Sequence, residues 1–229
     1  MAFKLFDYQS SGKGVSKSAP QKKPFFKYWE IFGRKFWKLI ELNMLYVLFC
    51  IPIITFGPAT AALTHVMRKF ILEQPCFVFD EFFTAFKKNF KQSVFIGIVD
   101  VIMIVSVWIA CFQFLMNESL PDGSLVFICI MICCAPLVFI MHFHIYLEIV
   151  ALNLSIGSIL KNAVFLVFLG VKRNFIALII NLVIISLIVL FLPFSVFAVI
   201  FLPLSLMCFT TTFICYPVIQ KYIVNPYYE

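Results

Sequence analysis

Residues 43–69 read NMLYVLFCIPIITFGPATAALTHVMRK, and the reading of this stretch decides the fold. An apolar helix enters it, Pro52 and the Gly57–Pro58 pair interrupt that helix, and Thr60 is expected to open a second one that carries His65, Arg68 and Lys69. Proline lacks a backbone donor and crowds the preceding turn, so two prolines and a glycine this close together free several backbone groups. Hydrocarbon cannot pair them. The break must therefore pack against other helices, line a wet cavity or sit at the outer surface. The stretch predicts a bent membrane hairpin at the centre of a bundle, with Pro52, Gly57, Pro58 and Thr60 as its structural residues.

Working outward, the 229-residue chain is 63% hydrophobic and 13% charged, with 30 phenylalanines, against roughly 25% charged residues in a soluble domain. Apolar runs at 36–54, 93–116, 124–147, 175–192 and 196–219 each approach the ~20 residues that cross a bilayer. Residues 59–72 form a sixth, shorter run; a helix of that length extends only about 21 Å and would span only with snorkelling. The expected fold is all-α: a polytopic transmembrane helical bundle of five to six passes. It forms one domain over 25–229, in three helical hairpins at about 25–74, 79–148 and 155–221.

Lys and Arg bias loops toward the cytoplasm. With the N-terminus inside and six passes, all 18 Lys and Arg fall on or beside the inner face, whereas the outer connection 117–123 carries Glu118 and Asp122 and no basic residue. Both termini are then cytoplasmic. Residues 1–24 are basic and rich in Ser, Gly and Lys, and read as a disordered cytoplasmic tail. The net charge of +7 lies beside the membrane, where it suits anionic lipid headgroups rather than nucleic acid.

Three times an aromatic stripe at helical spacing runs into a basic cluster and then an apolar run. The sets are Phe25, Trp29, Phe32 and Phe36 with Arg34-Lys35; Phe79, Phe82, Phe83, Phe86 and Phe90 with Lys87-Lys88; and Phe165, Phe168 and Phe175 with Lys172-Arg173. Spacings of three, four and seven place the rings on one face, as in a helix lying in the membrane interface. Each such amphipathic helix is expected to lie flat on the cytoplasmic side before the chain turns up. Internal duplication and generic interfacial anchoring both account for the recurrence. In the second copy, Asp80 and Glu81 at the N-terminal end and Lys87, Lys88 and Lys91 at the other match the helix dipole. These five charges are a candidate surface for lipid headgroups or a protein partner.

The run into Cys50-Ile51-Pro52, then Thr55, Gly57 to Ala62, Arg68-Lys69 and the FKKNFKQ core within Phe82 to Gln92, resembles the YesL-like family of bacterial integral membrane proteins, built around a domain of unknown function. The resemblance is specific over about residues 28–100 and looser beyond. It implies a bacterial cytoplasmic membrane location and an association with carbohydrate uptake and utilisation, and supplies no catalytic or ligand-binding residues.

Asp100 lies about two turns into an apolar run. An ionised carboxylate there is costly unless paired or hydrated, so it marks either a functional site or inward-facing polar glue. His144 and Glu148, four apart on one helical face with His142 rotated away, could share a metal or a proton, with His65 as a third ligand, or simply meet lipid headgroups. Asn43, Gln113 and Asn181 read as helix-packing contacts. Of the eight cysteines, seven sit inside apolar runs and read as small packing residues, not disulfide or zinc partners. Catalytic and nucleotide-binding fingerprints are absent, so neither an enzyme nor a cofactor is expected. The leading expectation is an accessory or regulatory component of a membrane complex, its partner a membrane protein such as a carbohydrate importer. A small-solute transporter or channel is the alternative, since transporters place interrupted helices at their substrate sites.

Overall fold

The computed structural model describes residues 23–116 and 124–225. Nearly all of the basic tail, and the whole outer connection 117–123, lie outside these residues. The chain forms two compact units, Met1–Arg34 and Lys35–Glu229. In the first, Phe25, Phe26 and Trp29 are exposed and meet edge to face, with Phe25 and Trp29 centroids 6.3 Å apart.

The described residues contain helices and turns and no strand. In order they are α1 (Pro24–Cys50), a 3₁₀ turn (Ile53–Thr55), α2 (Phe56–Ile71), α3 (Val78–Met116), α4 (Ser124–Ala151), α5 (Ile156–Leu169), α6 (Val171–Leu190), α7 (Ser195–Phe201) and α8 (Pro203–Ile219), the last running into a π-helical turn at Gln220–Val224. Four stretches are long and apolar enough to span a membrane: Val78–Gln113, Ile128–Ala151, Val171–Leu190 and Pro203–Val224. Their outward faces agree with that reading. On α3, Ile98, Ile102, Val105, Ile109 and Phe112 recur at helical spacing and are 44–58% exposed, an apolar stripe that a water-soluble domain would bury.

The hairpin at 43–69 forms, with its boundary moved. Helix α2 begins at Phe56, four residues before the expected Thr60, which places Pro58 in the first turn where its missing N–H costs no intrahelical bond. Thr60 lies inside α2, its Oγ1 donating to the Phe56 carbonyl at 2.8 Å and meeting the Tyr46 hydroxyl at 3.1 Å. The freed carbonyls find a partner within the turn itself, because the Thr55 hydroxyl contacts the carbonyls of Phe49 and Pro52. Ile51, Ile53 and Ile54 at the tip are exposed.

Gly57 seats against α3. A Cβ on Gly57 would lie 1.9 Å from the Ser93 carbonyl oxygen, and one on Gly97 would lie 2.6 Å from Gly57 Cα. Gly57 with Ala61 on α2, and Ser93 with Gly97 on α3, are small residues four apart, the spacing that lets two helix backbones touch. At its other end α2 meets α3 through Lys69 and His65, both paired with Glu81. Helix α2 thus lies beside residues 81–97 of α3. Its tip comes level with Gly97, while α3 continues 19 residues, or about 28 Å, to Met116.

Two expectations are corrected here. The second aromatic stripe does not lie flat before a bend: α3 runs unbroken through Lys87-Lys88-Asn89-Phe90, and its Phe82, Phe83 and Phe86 rings pack on Phe49 of α1 with centroids 5.2–5.6 Å apart. The third copy does break, at Gly170 between α5 and α6, and its Phe165, Phe168 and Phe175 are exposed. The expected run 196–219 is likewise two helices, because Leu202 leaves helical geometry and Pro203 starts α8.

Candidate functional site

The site is built where α1, α2, α3, α4, α6 and α8 fail to close on one another. They line a half-open cavity of about 670 Å³, within the size range of small-molecule sites. Sixteen of its twenty-two lining residues are apolar or Cys; the others are Tyr46, Thr60, Thr64, Asp100, His142 and Tyr146. Asp100 reaches the cavity from α3 one turn beyond Gly97, so the close crossing that seats α2 also fixes its height. Pro136, inside α4, lines the opposite wall.

Asp100 is 8% exposed and held from α4: Tyr146 donates its hydroxyl to Oδ2 at 2.9 Å, and His142 Nδ1 approaches the same oxygen at 3.0 Å. The Tyr146 hydroxyl is the hydrogen-bond donor, and the His142 ring lies beside the acid at ion-pair distance. Residues 142 and 146 are one helical turn apart and share a face, which is why both reach one oxygen. Oδ1 has no donor among the described residues.

The other residues expected at an intramembrane polar site lie elsewhere. His144 and Glu148 are fully buried on the same face of α4, yet each is taken by a different asparagine: His144 Nε2 meets Asn174 Oδ1 at 3.0 Å, and Asn162 Nδ2 donates to Glu148 Oε2 at 3.1 Å. His144 Nδ1 and Glu148 Oε1 have no hydrogen-bond partner among the described residues. His65 pairs with Glu81 and supplies nothing to them. No group of three His, Cys, Asp or Glu gathers among the described residues, so the shared-metal reading is set aside. All eight cysteines are free.

At the end of α3 remote from Met116, Asp80, Lys87, Lys88 and Lys91 are exposed, whereas Glu81 is turned onto α2. Glu81 therefore leaves the candidate partner surface. Lys38 joins this end by donating to the Cys76 carbonyl at 3.2 Å, and Gln92 by donating to the Leu154 carbonyl at 2.8 Å.

Three asparagines do more than pack. Asn43 donates to the carbonyls of Val199 and Ile200, both at 2.8 Å, and accepts from the Ser205 amide at 2.7 Å. It thereby serves the orphaned end of α7 and the orphaned start of α8 together. Asn174 does the same for the last carbonyls of α5, donating to Leu166 and Val167 at 3.0 Å. Asn181 bridges to Thr211 on α8 at 2.7 Å. Gly97, His142, Tyr146 and Asn174 were not singled out by sequence reasoning; Ser93-x-x-x-Gly97 was the readable signal for the first.

An all-helical chain with four helices able to span a membrane and a largely apolar cavity around one acid defines a membrane protein, with no reaction attached. Residues 39–111, from the second half of α1 through most of α3, match the family model described as "Protein of unknown function, DUF624". No curated protein and no solved structure matches the chain.

Proposed function

We propose that this chain is an accessory or regulatory protein of the bacterial cytoplasmic membrane, of the YesL-like kind, that docks on another membrane protein through the Val78 end of α3. The observation that carries this is the composition of that end, where Phe82, Phe83 and Phe86 have turned onto Phe49 while Phe79 and Phe90 stay exposed. Asp80, Thr84, Lys87, Lys88 and Lys91 fall on one exposed helical face, offering charge of both signs to a partner. A 39-residue helix is about 58 Å long against a hydrocarbon core of about 30 Å, so this face stands clear of the lipid tails. The partner is a carbohydrate importer, in keeping with the family resemblance.

In this reading α3, α4, α6 and α8 cross the bilayer and the α1–α2 hairpin is re-entrant, its tip Ile51–Ile54 held in lipid and its ends returning to the cytoplasmic side. Four crossings keep both termini cytoplasmic. Labelling Lys88→Cys in a cysteine-free background with an impermeant reagent gives no signal from intact cells and a strong signal from inverted vesicles. Strong labelling in intact cells reverses the orientation.

Co-purification in mild detergent tests the docking face. Asp80→Lys and the triple Lys87→Glu/Lys88→Glu/Lys91→Glu should each lower recovery of the importer roughly fivefold or more with insertion intact. A face that serves only as a lipid anchor would lose binding with the triple variant and gain it with Asp80→Lys. The second reading, a transporter or channel, is favoured by Asp100 in its cavity. Solute flux by the purified protein alone in liposomes would establish it and remove the accessory reading.

A further inference from the structure

The cavity's lining limits what can occupy it. A sugar carries a hydroxyl on nearly every carbon and would leave most of them unpaired against Met103, Val107, Phe139 and Leu182, each unpaired group costing about 1–3 kcal/mol. An anion finds no Lys or Arg in the lining among the described residues, and would face the Asp100 carboxylate. A metal finds one carboxylate and one imidazole, the latter already committed to that carboxylate. What remains is a molecule that is apolar over most of its surface and carries one polar end.

Asp100 specifies that end. The Tyr146 hydroxyl and the His142 ring converge on Oδ2, and the residue lines the cavity, so Oδ1 is an acceptor without a donor among the described residues in largely apolar surroundings. A carboxylate so placed is stabilised by a donor, most strongly by a charged one. We propose that the cavity binds an amphiphile whose apolar body lies among the α3, α4 and α6 side chains and whose single polar end, an ammonium or a hydroxyl group, donates a hydrogen bond to Asp100 Oδ1. Tyr146 and His142 are positioning residues: they hold the acid's other oxygen and so aim the free one. The proposal does not depend on the docking reading, because none of Asp80, Lys87, Lys88 and Lys91 lines the cavity.

The test uses the full chain in lipid nanodiscs, with empty nanodiscs subtracted, and radiolabelled dodecylamine, dodecan-1-ol and dodecanoate, which share a chain and differ at one end. The amine should bind saturably at one site, at least roughly tenfold more tightly than dodecanoate. Asp100→Asn keeps a carbonyl for Tyr146 and His142 but turns an amide NH₂ toward the open position. It should weaken amine binding about tenfold and bring the amine and dodecanoate close together. Ala135→Phe, which fills the cavity from α4, should abolish the saturable component. Dodecanol binding as tightly as the amine identifies the native end as a neutral donor, and weaker dodecanol binding identifies a cation; both support the site. Uptake that matches empty nanodiscs, or an amine-to-dodecanoate preference unchanged in Asp100→Asn, overturns it. The Asp100→Asn comparison decides the matter even where the Phe variant does not fold.

Discussion

Replacing Gly97 by leucine should abolish recovery of monodisperse protein, and replacing it by alanine should destabilise the fold by about 2 kcal/mol. Even the alanine methyl would sit 2.6 Å from both Gly57 Cα and Gly57 N, backbone atoms that no side-chain rotation can remove. The helices must part. Parting them loosens the Phe49 contacts with Phe82 and Phe86 and shifts Asp100 away from Tyr146. Gly57→Ala should cost a similar amount, since its methyl would meet the Ser93 carbonyl. The double variant should cost less than the sum, because one separation of the helices relieves both overlaps. Heating followed by size-exclusion chromatography in mild detergent measures this. A Gly97→Ala protein as heat-resistant as the parent would remove the backbone contact from the account.

Asn43→Leu is the second large effect. Leucine keeps the bulk and removes three hydrogen bonds, leaving the Val199 and Ile200 carbonyls and the Ser205 amide without a partner at a helix break. Intramembrane side-chain bonds measure about 0.6 kcal/mol on average and reach about 1.7, so three bonds to backbone groups that nothing else serves should total on the order of 3 kcal/mol. Asn43→Asp should fare no better at neutral pH, because a carboxylate accepts from Ser205 but repels the two carbonyls. Thermal unfolding reads both variants. A melting point for Asn43→Leu within about two degrees of the parent would mean that the α7–α8 break is held by something else.

The membrane class and most helix extents were legible because hydrocarbon demands long uninterrupted apolar runs, and composition records that demand directly. Proline and glycine mark the hairpin for the same reason, although they point to Thr60 as the opening of a helix whose first turn stands at Phe56. The break at Leu202 was missed because hydropathy runs straight through it; Pro203, at the first position of α8, was the signal, and it was outweighed by the length of the apolar stretch. The aromatic stripe on α3 shows a different limit. Periodicity identifies a face but not what the face meets, and Phe82, Phe83 and Phe86 meet Phe49 rather than lipid. For the polar site, Asp100 was legible as a lone acid in an apolar run. Its partners were not: His142 was rightly placed on a different face from His144, but which helix that face would oppose is decided by tertiary packing.

The crossing at Gly97 also divides α3 mechanically. Nineteen residues lie on either side of it, about 28 Å each way, and the arm before it is clamped along α2 by the Glu81 pairs and against Phe49 of α1. Asp100 stands three residues, about 4.5 Å, beyond that crossing, and Lys87 stands ten residues, about 15 Å, before it on the clamped arm. A pull on the charged end is therefore shared by α1, α2 and α3 before it reaches the acid.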